Sequence, residues 1–229
     1  TAMGSGEQTF QGVFMQGKYS PVESLQLTLS GRYDEWFTNQ MNSQLTKAGG
    51  SASGGANPDT SYYAFNPSAG IHYDWNENIA LRASAYTAFR APGFNNLLRS
   101  YGNSSSFTVA NPSLQPERVK GFEFGTDFRT DKLTLGATYF FNDISDMIAT
   151  YTVAKNASAP QPVKNLCGWT GGSTFTNCTG NITYYTNDQT GRAYGVELSG
   201  KYILTDTLQL DGMYTYTSTY LTSKSGSVT

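Results

Sequence analysis

From Leu25 to Phe37 the chain alternates: Leu25, Leu27, Leu29, Gly31, Tyr33 and Phe37 fall on one side of an extended backbone, and Gln26, Thr28, Ser30, Arg32 and Asp34 on the other. Successive side chains of a strand point to opposite faces, so a period of two predicts a strand lying between two different environments. The alternation returns along the chain. Tyr63, Phe65, Ala69, Ile71, Tyr73 and Trp75 oppose Asn66, Ser68, His72 and Asp74; Leu81, Ala83 and Ala85 oppose Arg82, Ser84 and Tyr86; Phe122, Phe124 and Phe128 oppose Glu123 and Asp127. Further on, Leu133, Leu135, Ala137, Tyr139 and Phe141 oppose Thr134, Gly136, Thr138 and Asn142. Tyr194, Val196, Leu198 and Tyr202 oppose Glu197, Ser199 and Lys201, and Leu208, Leu210, Tyr214 and Tyr216 oppose Gln209, Asp211 and Thr215. Thr9 to Tyr19 is β-like but uneven, with Phe10 and Phe14 on one face and Val13 and Met15 on the other. The count is about eight strands in four hairpins.

The connections carry as much information as the strands. Short turns lie near residues 20, 76, 130 and 205, and long polar connections run over Thr38–Ser61, Phe89–Glu117 and Tyr151–Arg192. In Phe89–Glu117, Pro92, Pro112 and Pro116 each lack an N–H and push the preceding residue towards extended geometry, so neither a helix nor an interior strand runs through them. The two kinds of connection strictly take turns, which in an antiparallel meander puts all short turns at one end and all long loops at the other. Periodicity alone also fits a soluble sandwich or a lipocalin-like barrel. The asymmetry of the loops favours a transmembrane β-barrel, whose turns are short on one side of the membrane and long on the other. Tyr19, Tyr33, Tyr73, Trp75, Tyr139, Tyr202 and Tyr214 then suit a membrane–water boundary, and Arg32, Arg82, Glu123, Asp127, Glu197 and Lys201 a hydrated lumen.

Composition sharpens this. Charged residues are only 14% and aromatics 14%, with 16 Tyr and 24 Gly among 229 residues, a β composition with too much aromatic surface for a disordered chain. The formal charge of −2 offers no basic track for a phosphate backbone, so no nucleic-acid partner is expected. No run of about 18 apolar residues forms a spanning helix, but a barrel strand needs only about 9–11 residues with every second one facing lipid. The opening Thr1-Ala2-Met3-Gly4-Ser5-Gly6 lacks a secretion signal and reads as a loop remnant rather than a natural start.

Phe89-Arg90-Ala91-Pro92, then Asn111-Pro112-Ser113-Leu114-Gln115-Pro116-Glu117, then Gly121-Phe122-Glu123-Phe124-Gly125 together resemble the barrel signature of TonB-dependent outer-membrane receptors. The resemblance implies an all-β, antiparallel transmembrane β-barrel, of which residues 1–229 supply about eight strands of a roughly 22-stranded, plugged barrel. It implies a receptor in the bacterial outer membrane that imports a scarce large nutrient, powered by TonB through a segment absent here. The plug domain and a closing strand with a terminal aromatic are also missing, so a partial barrel is expected. The family's haem-uptake branch carries a histidine between motifs like these two; residues 93–110 contain none, which disfavours haem and leaves a ferric siderophore as the leading ligand. The alternative is a small complete eight-stranded outer-membrane barrel acting as adhesin or structural protein.

Within this frame, Arg99, Tyr101, Phe107 and Trp169 are candidate ligand contacts, the aromatics for a planar ligand and Arg99 for an anionic one. Packing of loop-tip aromatics on one another is the competing reading. Arg90 is a candidate contact to ligand or plug, against the alternative that both proline motifs merely fix strand exit and re-entry. Cys167 and Cys178, in an exported protein, are expected to form a disulfide. Glu123 and Asp127 lack a nucleophile, metal-ligand set or base beside them, so no catalysis, metal or cofactor is expected, and the lone His72 reads as a polar lumen or turn residue.

Overall fold

A computed structural model of the chain describes residues 2–46, 52–103, 105–178 and 180–223. Eight long strands form one antiparallel meander: β1 (Ala2–Val22) and β2 (Leu25–Thr46), with the short β3 (Ala52–Ala56) folded back on β2, then β4 (Thr60–Asp74) and β5 (Ile79–Arg90). After α1 (Phe94–Leu97) and the short β6 (Tyr101–Gly102) and β7 (Ser106–Val109) come β8 (Glu117–Arg129) and β9 (Leu133–Thr152). Helix α2 (Gln161–Cys167) precedes β10 (Asn181–Thr205) and β11 (Leu208–Ser223). All four short turns lie at one end and all three long connections at the other. No ladder joins β1 to β11 among the described residues, so the sheet is an open arc of barrel wall. A closed eight-stranded barrel would pair these two strands.

The sheet register lines up side chains on its outer face. Rows run Ile79–Phe128–Leu135, Leu81–Thr126–Ala137–Leu198–Tyr214, Ala83–Phe124–Tyr139–Val196–Tyr216 and Ala85–Phe122–Phe141–Tyr194 across β5, β8, β9, β10 and β11. Phe122, Phe124, Tyr139, Leu198 and Tyr214 are exposed. The first polar row above them is Thr87–Lys120–Asp143–Arg192–Tyr220. Between the Leu133–Tyr202 pair and the Asp143–Arg192 pair each strand advances ten residues. That is about 33 Å of strand, or about 25 Å along the membrane normal at a tilt near 40°, the height of a barrel's apolar band. Tyr139 and Tyr214 stand inside this band rather than at its edge.

The opposite face is polar and hydrogen-bonded. Arg82 donates from Nε to Asp127 Oδ2 at 3.0 Å and from Nη2 to Thr138 Oγ1 at 2.6 Å, and the Tyr86 hydroxyl donates to Asn142 at 2.9 Å. Gly125 and Gly121 make room for this: a Cβ on Gly125 would meet Arg82 Cζ at 3.0 Å, and one on Gly121 would meet the Tyr86 ring at 2.5 Å. The glycines of the Gly-Phe-Glu-Phe-Gly stretch thus let β5 side chains lie flat over β8.

Three expectations change. β10 starts at Asn181, inside the stretch read as loop to Arg192, and β2 runs to Thr46 with β3 beside it, inside the stretch read as loop from Thr38; the Lys47–Ser51 part of that stretch lies outside the described residues. These strand ends extend past the apolar band and bury Met41, Leu45, Ile182 and Tyr184 among the loops, so their sequence loses the contrast between an apolar and a polar face. β1 begins at Ala2 rather than after a loop remnant, and Gly4 and Gly6 let Leu98 and Met41 pack against the strand.

Candidate functional site

The three long connections fold together over the concave end of the sheet. The segment between β5 and β8 leaves its own hairpin and adds β7, in parallel, to the upper end of β10, with Phe107 opposite Ile182 and Val109 opposite Tyr184. Burial explains this detour. Phe107, Val109, Val153, Val163, Leu166, Ile182 and Tyr184 form one apolar cluster with Leu45 of β2. Trp36, Met41, Leu97, Leu98 and Leu114 form a second, with Tyr62, Phe89, Ile148 and Tyr185 against it. Each polar loop contributes a few apolar residues, and only by packing on its neighbours does it remove them from water.

The proline motifs are the frame of this canopy. Asn111 donates from Nδ2 to the Tyr185 carbonyl at 2.9 Å while its Oδ1 accepts from Ser113 N at 2.9 Å, and its own N–H donates to the Asn96 carbonyl at 2.8 Å. Leu114 is fully buried. Gln115 exchanges two hydrogen bonds of 2.8 Å with the Asn187 side chain. Pro92 and Pro116 are buried, and the Pro92 carbonyl accepts from Gln8 Nε2 at 3.0 Å. Arg90 and Glu117 stand opposite each other where β5 ends and β8 begins. Arg90 Nε donates to Glu117 Oε2 at 2.5 Å, and Glu117 Oε1 accepts from the Ile148 backbone N–H at 2.7 Å. Donating to the Glu117 carboxylate raises the pKa of the Arg90 guanidinium. Arg90 is thereby a clasp across the loop base, and Phe89 packs on the Tyr62 ring at 5.7 Å.

The residues expected to meet a ligand separate into two groups. Arg99 is exposed and makes no ion pair among the described residues. Tyr101 is exposed, its hydroxyl 3.2 Å from that of Tyr185. Trp169 bridges to Phe175, donates from Nε1 to the Gly172 carbonyl at 3.2 Å, and carries the Lys164 ammonium 4.8 Å from its ring centroid. Phe107 differs, because it is turned into the first apolar cluster with little surface left for a ligand. Cys167 and Cys178 form a disulfide, with Cα atoms 5.0 Å apart, buried in that same cluster. Burial pushes the Tyr184 hydroxyl up to about 12, and burial together with the Tyr101 hydroxyl does the same for Tyr185.

Between the loops lies a cleft of about 680 Å³, lined from all three connections by Ser43, Ser53, Asn57, Ser100, Ser113 and Asn165, among others. Among the described residues, no charged side chain lines it. Its hydroxyls and amides can donate to and accept from a polar ligand. Sequence reading missed it because serines, glycines and asparagines in long loops look like flexible connection; only their convergence gives them a common wall. The β3 hairpin is held to α2 there by Ser53, whose hydroxyl donates to the Leu166 carbonyl at 2.9 Å.

A family model described as "TonB dependent receptor-like, beta-barrel" matches residues 1–228. The fold is similar to several solved structures. The FrpB iron transporter from Neisseria meningitidis is 17% identical, with a TM-score of 0.60 over 95% of this chain and 26% of that one. The ferric-catecholate import receptor Fiu from E. coli K12 is 19% identical, with a TM-score of 0.63 over 95% and 29%. The Serratia marcescens hemophore receptor HasR, in complex with its hemophore HasA and heme, is 19% identical, with a TM-score of 0.70 over 93% and 34%. No curated protein sequence matches the chain. It spans about a quarter to a third of the length of these structures.

Proposed function

The chain belongs to the TonB-dependent receptor-like β-barrel family, and from that premise we propose that it is part of an outer-membrane receptor that imports a ferric siderophore. The family's members are transporters rather than enzymes. In this reading the ladder-lined arc is a stretch of the barrel wall, the canopy faces the outside, and TonB supplies energy through a segment outside residues 1–229. The observation that carries the proposal is the canopy itself: three loops locked together around a polar cleft, with Arg99 and Tyr101 exposed and Trp169 half-buried. Loops that served only to connect strands would need no such mutual packing. The absence of histidine from residues 93–110 favours a siderophore over haem.

In the full-length receptor, alanine at Arg99, Tyr101 and Trp169 together weakens ferric-siderophore binding while barrel assembly is unchanged. Growth of a receptor-deletion strain complemented by the whole gene, scored on a panel of ferric chelates under iron limitation, identifies the ligand. Growth on haem but on none of the chelates would sink the siderophore reading, and unchanged affinity in the triple variant would remove these three side chains from the site.

A further inference from the structure

The polar cleft between the loops still has hydrogen bonds to give. Ser100 is 4% exposed, and its Oγ accepts from the Ala110 N–H at 3.0 Å, which leaves its own O–H free to donate. Ser43 Oγ likewise accepts, from Asn57 Nδ2 at 3.0 Å. Asn165 Oδ1 accepts from Gln161 Nε2 at 2.7 Å, so its amide protons remain. The motif holds Ser113 by its backbone N–H, and its hydroxyl has no protein partner among the described residues. A serine hydroxyl has a proton to donate and an amide nitrogen has two. Groups from all three connections therefore aim donors at one space of about 680 Å³, a size usual for a small-molecule site. Val109, Pro112 and Leu166 add apolar wall between them.

Charge is what the cleft lacks. Its lining among the described residues holds neither cation nor anion. The Lys164 ammonium is engaged elsewhere, donating to the Ala157 carbonyl at 2.5 Å and lying 4.8 Å from the Trp169 ring centroid. Arg99 precedes Ser100 in the chain but is exposed and outside the lining, so water and salt screen it. A charged ligand entering the cleft gives up hydration and meets no counter-ion there, which is a costly transfer. A neutral ligand rich in acceptor oxygens loses little and receives the donors.

Ferric chelates divide on this point by their own charge. Three hydroxamates, each singly negative, cancel the charge of a ferric ion, and the neutral complex presents its coordinating oxygens as acceptors. Three catecholates, each doubly negative, leave a trianion. We propose that the cleft takes an electroneutral ferric tris-hydroxamate in preference to an anionic ferric catecholate, with Ser43, Ser100, Ser113 and Asn165 donating to the oxygens of the complex. The inference rests on the siderophore reading above and narrows it to one charge class.

The full-length receptor in detergent is titrated by calorimetry with two probes: the ferric complex of a cyclic hexapeptide carrying three hydroxamates, and that of a triserine lactone carrying three catechols. The hydroxamate complex is expected to bind roughly a hundredfold more tightly. Ser113→Ala with Asn165→Ala removes donors without touching either apolar cluster, and is expected to weaken that binding about tenfold. Asn165→Lys keeps a donor and adds a charge, and is expected to tighten the catecholate complex by about tenfold or more. A heat-dependent shift in electrophoretic mobility reports that each barrel is assembled. Catecholate binding as tight as hydroxamate binding overturns the inference and leaves the siderophore reading standing, as does unchanged hydroxamate affinity in the assembled double variant. Binding of neither probe overturns it too, and if growth also fails on every ferric chelate, the siderophore reading falls with it.

Discussion

Replacing Glu117 by alanine is expected to release the base of the loop that spans residues 91–116, and the structure sets the size of the effect. Glu117 is 4% exposed and accepts two bonds, from Arg90 Nε at 2.5 Å and from the Ile148 N–H at 2.7 Å. The two are unequal. The Arg90 side chain is 73% exposed, so water screens the ion pair, which is discounted to about 1 kcal/mol or less. The bond from the half-buried Ile148 ends on a carboxylate whose side chain is only 5% exposed, a class worth about 1.5–3 kcal/mol. Glu117→Ala therefore lowers the free energy of opening the loop base by about 2–4 kcal/mol, a rise of roughly thirtyfold or more in the open population. Arg90→Ala costs about 1 kcal/mol, because water fills the place of the exposed guanidinium while Ile148 still donates to the carboxylate.

Amide hydrogen exchange of the full-length receptor in detergent measures both, read at Ile148 and over residues 93–110. Glu117→Ala should speed exchange at Ile148 by at least that factor, and Arg90→Ala by several-fold. If Arg90→Ala is as damaging as Glu117→Ala, the carboxylate depends on the ion pair and the ranking is wrong. If Glu117→Ala changes exchange at Ile148 by less than about threefold, the clasp does not hold the loop at all.

Reducing the Cys167–Cys178 bridge, which closes a separation of 11 residues, should weaken the order of the third loop by about 2–3 kcal/mol, seen as new proteolytic cleavage between residues 161 and 184 while the membrane-embedded strands stay protected. Arg82→Met should cost about 1–3 kcal/mol by leaving Asp127 and the Thr138 hydroxyl without their donor, read as a lower temperature for loss of the compact electrophoretic form. Arg82→Lys should not restore it, since one ammonium lacks the fork that reaches both groups. Tyr184 and Tyr185 have pKa values raised to about 12 in the folded canopy, so the fold favours their protonated forms. Their contribution is complete below about pH 10, the unfolded value, and is lost as pH rises through about 12. Ultraviolet titration should show a last tyrosinate step, absent from Tyr184→Phe with Tyr185→Phe, and an identical curve for that variant would refute it.

The wall of the barrel was legible in the sequence for a physical reason. Between Leu133 and Phe141, or Leu25 and Tyr33, one face of the strand meets lipid and the other meets water, and that contrast writes a period of two into the residues. Above the apolar band the contrast ends. Thr186 to Arg192 and Phe37 to Thr46 are still strand, but the β9–β10 register shifts between Thr186 and Gly191, Gln40 has a positive φ of 53°, and Met41 and Leu45 pack on loop residues, so no steady alternation is left to read. The same boundary explains the loops. Leu97, Leu98, Val109, Leu114, Val163 and Leu166 are buried, but each stands in a short polar context whose local pattern predicts neither helix nor strand.

The proline motifs show where local reading stops. Turn chemistry announces that Asn111-Pro112-Ser113 bends the chain, and Asn111 Oδ1 does accept from Ser113 N. What fixes the motif in place is remote: the Tyr185 carbonyl for Asn111, the Asn187 side chain for Gln115, the Ile148 N–H for Glu117. All three partners belong to β9 and β10, so the loop after β5 is anchored by the hairpin beyond it. Asn111, Gln115 and Glu117 are thereby committed to holding the canopy, while Ser113 between them lines the polar cleft. Between the anchors, Leu97, Leu98, Phe107 and Val109 are buried in the two apolar clusters and hold the canopy as well. Arg99 and Tyr101 sit in that interval exposed, on either side of the polar cleft's Ser100, so substituting them leaves these clusters and the motif's bonds to β9 and β10 in place.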